Sequence, residues 1–147
     1  MQRRPWLFSV LVLMAALQWG CSGMQSMGQA MGGSETLTKL LTSQLGVTTN
    51  QATGGIGSIL SLAKERLSVM NFTTLTSLIP GADTFMQSAK DLGAVTGPVG
   101  DRSGLTAAFS RLGMGSEMVP KFTQTLSDFV GKAGGQPASN LVMQAVQ

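Results

Sequence analysis

The chain has 147 residues, with 10 Lys or Arg, 7 Asp or Glu, one Cys and neither His nor Tyr. Missing imidazoles and phenols remove the commonest general bases, the imidazole metal ligands and Ser-His-Asp triads. The formal charge of +3 shrinks to near neutrality once Arg3 and Arg4 are assigned to an amino-terminal signal, and no cation cluster then remains to release counterions from nucleic acid.

That signal occupies residues 1–20. Arg3 and Arg4 precede an apolar run from Trp6 to Leu17, interrupted only by Ser9, and Gly20-Cys21 follow. A basic end, a short apolar stretch and small residues form the layout of an export signal. Spanning a bilayer as a helix takes ~20 apolar residues, so this run suits a signal core better than a permanent span. Cys21 stands where a lipoprotein signal places the thiol that carries diacylglycerol, with Gly20 supplying the small residue before the cut. Gln18 and Trp19 depart from the usual pattern, with Leu17 one place too early. Cleavage near Gly23 is the competing reading and would discard Cys21, and a free thiol of no consequence is the third. With lipidation, the protein is held by palmitate-type acyl chains at the outer membrane or on the periplasmic face. Otherwise it is periplasmic or secreted.

Residues 21–33 contain four glycines and no charge. Such composition reads as a flexible Gly/Met/Gln linker. Met24, Met27 and Met31 offer thioethers of the kind that bind Cu(I). Three sulfurs without a histidine are read instead as linker filler, so no metal or cofactor is assigned.

From residue 34 to 147 helical spacing recurs and strand alternation does not. Leu37, Leu40, Leu41 and Leu45 share one face, with Ser34 as cap and Glu35 near the positive helix end. Gly46 stops this helix, since glycine alone enters the left-handed position without steric cost. Thr48 with Gln51 matches a reciprocal capping box for the next helix, whose stripe is Ile56, Ile59, Leu60, Ala63 and Leu67. Gly54, Gly55 and Gly57 weaken that helix by up to ~1 kcal/mol each relative to Ala, which predicts close approach of a neighbouring helix. Phe72, Leu75, Leu78 and Ile79 predict a short helix ended by Pro80-Gly81, and Phe85, Met86 and Ala89 another. Gly93 to Gly104 reads as a loop. Leu105, Ala108, Phe109 and Leu112 then form a stripe stopped by Gly113. Ser116 is placed to cap a helix carrying Val119, Phe122, Leu126, Phe129 and Val130. After a Gly134-Gly135 break, Pro137 introduces a last short helix with Leu141, Val142, Ala145 and Val146. The Leu-Gly junctions at 45–46 and 112–113 look alike, by duplication or by two uses of a common turn. The expectation is an all-α domain of six to seven short helices built on two helix-Gly-helix hairpins.

No catalytic constellation accompanies this pattern. The seven carboxylates are scattered. Ser61-Leu62-Ala63-Lys64 matches the Ser-x-x-Lys of penicillin-recognising enzymes, but the partner motifs are missing and the chain is too short for that fold. The glycines near 54–57 lack the strand and the Gly-Lys-Ser/Thr of a phosphate loop.

The segments Leu-Thr-Ser-Gln-Leu-Gly-Val-Thr (41–48), Gln-Ala-Thr-Gly-Gly-Ile-Gly (51–57), Ile-Pro-Gly-Ala-Asp (79–83) and Phe-Ser-Arg-Leu-Gly-Met (109–114) resemble the VcgC/VcgE family of bacterial exported proteins. That family has no known function, so the resemblance implies an all-helical exported domain and no activity. Two functions are expected on these grounds. The first is a non-enzymatic envelope module, anchored through Cys21, that binds another envelope protein or itself. The alternative is a periplasmic carrier of a lipid or small hydrophobic ligand, lined by Met70, Met86, Met114 and Met118.

Overall fold

The computed structural model describes residues 32–147, and these fall within one compact unit. Six helices make it up: α1 (Gly32–Leu45), α2 (Thr49–Arg66), α3 (Val69–Ser77), α4 (Ala82–Asp91), α5 (Arg102–Arg111) and α6 (Met118–Val146). No strand occurs among the described residues, so the domain is all-α. The signal, Cys21 and the methionines at 24, 27 and 31 lie outside them.

Helix α2 is the centre of the fold. Every residue from Gly54 to Ala63 is buried, so the helix is enclosed on all sides rather than along one stripe. Small residues make this possible. A side chain at Gly54 would meet Leu112 at 2.8 Å, and one at Gly55 would meet the Phe122 ring at 2.5 Å. At Gly57 it would fall on the Phe85 carbonyl itself. The three glycines therefore admit the α5 terminus, α6 and α4 respectively. The most extensive helix pairing is α2 against α4, a helix that belongs to neither of the two sequence hairpins. Ser58 and Ser61, buried beside them, donate to the Gly54 and Gly57 carbonyls at 2.8 Å and leave no polar orphan.

The two helix-Gly junctions differ in detail. Gly46 (φ +67°) ends α1 with one bond from its N–H to the Thr42 carbonyl at 3.1 Å. Gly113 (φ +76°) ends α5 with the paired bonds of a Schellman motif, Met114 N–H to Phe109 O and Gly113 N–H to Ser110 O, both 3.0 Å. Gly93 ends α4 with the same pair, Ala94 N–H to Ala89 O and Gly93 N–H to Lys90 O, both 2.9 Å.

Two expected caps are corrected. Helix α1 already includes Gly32 and Gly33, which puts Ser34 within the helix and not ahead of it. Gly33, one residue before Ser34, lies hard against the Pro80 ring where no side chain fits. Ser116 does not cap α6 either. Glu117, which stands between Ser116 and the first residue of α6, is already helical (φ −66°, ψ −17°) and makes no side-chain cap. Met118 and Val119 instead bond back to the Gly115 and Ser116 carbonyls at 3.0 and 3.3 Å, which uses the N–H groups a hydroxyl would have taken.

Helix α6 is two helical arms joined at a kink at Gly135, whose φ of 72° and ψ of −171° are open essentially to glycine alone. Beyond it the chain doubles back. Ser139 Oγ donates to Ser127 O at 2.9 Å, and Ser127 Oγ to Ser139 O at 3.3 Å. Ala138, Val142, Ala145 and Val146 of the returning arm are buried. The break at Gly134-Gly135 thus makes two packed arms of one helix. Phe109 of α5 meets Phe122 of the first arm edge-on, ring centres 5.0 Å apart.

Candidate functional site

Three of the residues singled out by the sequence, Thr48, Gln51 and Gly113, converge in one place, and it is a structural node. Thr48 Oγ1 accepts from Gln51 N–H at 3.2 Å, and Gln51 Oε1 accepts from Thr48 N–H at 3.0 Å. The Gln51 amide also turns its Nε2 to the Leu112 carbonyl at 3.1 Å. One side chain thereby closes the start of α2 and ties it to the glycine junction after α5. Gly113 lies beside this contact, whereas Gly46 has open space around it. Ser116 is not part of the node, and Gly20 and Cys21 fall outside the described residues.

A groove of about 870 Å³ opens between the end of α2, α4 and the segment 95–98. Ser61, Lys64, Asp83, Met86 and Lys90 line it together with Val95 to Pro98. Its loop wall is held by a clamp that the sequence does not announce. Glu65 Oε1 accepts from Val99 N–H at 2.8 Å, and Oε2 from Gly100 N–H at 2.6 Å. From the other side Arg111 Nη1 donates to Ala94 O at 3.1 Å. Asp101 then caps α5 by accepting from Gly104 N–H at 2.9 Å. The signal for that cap was Asp101 three residues ahead of Gly104, inside a segment read as loop throughout. No local pattern pointed to Glu65, because its partners are backbone groups 34 and 35 residues away.

Ser61 and Lys64 share this groove, one turn of α2 apart. The Ser61 proton, however, is committed to the Gly57 carbonyl and the residue is 8% exposed. An activated nucleophile needs its hydroxyl hydrogen-bonded to a base. Among the described residues no three His, Cys, Asp or Glu side chains gather as metal ligands do. The four methionines proposed as a carrier lining sit on separate elements. Met86 and Met114 are buried, Met118 is half-buried, and Met70 is 81% exposed. Beside Met70, Val69 is 83% exposed, which makes an adjacent apolar pair on the surface at the start of α3. No described helix is long and apolar enough to cross a membrane.

These features define a small all-helical domain with one contiguous buried apolar core, an open half-polar groove and an exposed apolar pair. A sequence model of the family described as "Protein of unknown function VcgC/VcgE (DUF2780)" matches residues 16–147. The chain belongs to that family. The match extends ahead of the described residues, across Cys21 to residue 16. Neither a search of the curated proteins nor one of the solved structures found a match.

Proposed function

We propose that the protein is an exported, non-enzymatic lipoprotein of the bacterial envelope whose helical domain acts as a protein-interaction module. The observation that carries this reading is the order of its parts. A basic end, an apolar run and Gly20-Cys21 lead through an uncharged Gly-rich segment into a self-contained helical unit. Three acyl chains on Cys21 would hold the domain firmly, where a single chain anchors only marginally. The interior supports a module over a carrier, because Met70 faces solvent and the groove is open with lysines on its wall. Carrier sites are enclosed and mostly apolar.

The test compares cells producing the natural chain with cells producing Cys21→Ser. The natural protein is expected in the membrane fraction and released by detergent but not by high salt. The variant is expected as soluble periplasmic protein or as uncleaved precursor. Equal distribution of both would refute the anchor.

A further inference from the structure

We propose that the end of the domain where the chain enters α1 docks on the phospholipid surface, with Val69 and Met70 as the inserted side chains. This rests on the reading of Cys21 as a lipid anchor and gives the domain an orientation on its membrane.

Val69 and Met70 are 83% and 81% exposed, whereas the other large exposed hydrophobics among the described residues, Leu92 and Met143, reach only 37% and 40%. Isolated exposed apolar side chains are ordinary, but an adjacent pair of this exposure at a helix start has no packing role. The pair follows directly on the Leu67 cap of α2 and the Ser68 cap of α3. Helix α3 closes this end of the domain. Its C-cap Leu78 lies under Gly134, at the break in α6. Two residues further on, Pro80 packs on Gly33, and Gly81 lies beside Ser34. The first turn of α1, the end of α2, α3 and the α6 break therefore share one end.

The chain from Cys21 arrives at that same end. Residues 22–31 separate Cys21 from Gly32, so even a fully extended connection reaches no more than ~40 Å. An acylated Cys21 would keep this end near the bilayer at an effective concentration in the ~mM range. The opposite end, with Gly46 and the start of α2, lies a helix length farther away. The charged residues borne by these elements are mixed: Lys64 and Arg66 in the last turn of α2 and Lys132 shortly before the α6 break, against Glu35 at the start of α1 and Asp83 at the start of α4, with Glu65 engaged by loop amides. Docking therefore proceeds through apolar insertion and is not selective for anionic lipid. Two side chains bury far less than an acyl chain, which itself binds only marginally, so the contact forms only when the domain is tethered.

Both tryptophans, Trp6 and Trp19, precede Cys21, so the chain from Cys21 onward has none. A single Trp probe is introduced there as Met70→Trp, with Met143→Trp as the control. Cys21, the sole thiol, is coupled to a maleimide phospholipid in vesicles of phosphatidylethanolamine and phosphatidylglycerol carrying brominated acyl chains. The Met70→Trp probe is expected to shift to the blue and be quenched by the bromines only when coupled. Adding Val69→Ser should weaken that quenching, and Met143→Trp should be unaffected. Three results would overturn the proposal: no change on coupling, equal quenching of both probes, or a blue shift without bromine quenching, which marks a protein contact. Chemical coupling makes the outcome independent of acylation in the cell. Failure of the docking is thus distinguishable from failure of the anchor.

Discussion

Replacing Gly57 by Ala should destabilise the domain more than the same change at Gly54 or Gly55, although all three lie in one helix. Helix propensity favours Ala over Gly by ~1 kcal/mol at each site, and a buried methyl adds up to ~0.8 kcal/mol. The surroundings decide the sign. At Gly54 the new Cβ meets the ends of Leu112 and Leu92 at 2.8 to 3.1 Å, and those side chains can rotate away. At Gly55 it meets the Phe122 ring, which is fixed by its contact with Phe109. At Gly57 it meets the backbone carbonyl of Phe85 and the Ala89 methyl, so α2 and α4 must part. A gap of only ~0.5–1 Å forfeits a quarter to a half of each dispersion contact. It would run along the interface that buries Phe85, Met86 and Ala89. Overpacking of this kind costs ~1–3 kcal/mol, and at a backbone contact the upper part of that range applies. Against a total stability of ~5–15 kcal/mol for such a domain the loss is readily measured. Urea unfolding of the chain from Cys21 onward, followed by circular dichroism, should rank Gly57→Ala least stable, Gly55→Ala next, and Gly54→Ala near the natural protein. If Gly57→Ala matched or exceeded Gly54→Ala, the close crossing of α2 and α4 would be wrong.

Three further expectations concern the node, the loop clamp and the helix break. Gln51→Ala removes the bond from Thr48 N–H to Gln51 Oε1 and the tie to Leu112, while the backbone N–H of residue 51 still donates to the Thr48 hydroxyl; stability should fall by ~1–2 kcal/mol in the same urea assay, and an unchanged midpoint would dismiss the link. Glu65→Ala should cost ~1 kcal/mol and speed amide exchange at Val99 and Gly100 selectively, so protection there equal to the natural protein would show that the loop holds without the clamp. Gly135→Ala places a Cβ in a conformation reserved for glycine and should cost ~1–3 kcal/mol. Its effect should appear first as faster amide exchange in the returning arm, and uniform loss of protection across the domain would contradict a local break.

The helices were legible where the signal was periodic or a stop was chemical. Gly46 and Gly113 end α1 and α5 because a left-handed residue is needed at each point, and glycine supplies it. The Gly134-Gly135 break was legible for the same reason. The encirclement of α2 was not. Hydrophobic periodicity counts apolar side chains, whereas Gly54, Gly55, Gly57, Ser58 and Ser61 are buried because they are small. A stripe of large residues gave one face of the helix, and small residues supplied the others. The groove wall was illegible for a different reason, since Glu65 is fixed by backbone N–H groups distant in sequence. Ser34 has the chemistry of a cap yet lies within α1, because capping chemistry alone does not fix where a helix starts. Val69 and Met70 fell outside the expected apolar stripe of α3, and only the fold reveals that they are left uncovered.

The most direct measurement of the central claim is the intact mass of the mature protein purified from bacterial membranes. The account predicts a chain that begins at Cys21 and carries a diacylglyceryl group with a further acyl chain on its amino terminus. A mature chain beginning beyond Cys21, or one retaining an unmodified Cys21 thiol, would contradict it and leave an exported domain with no lipid anchor.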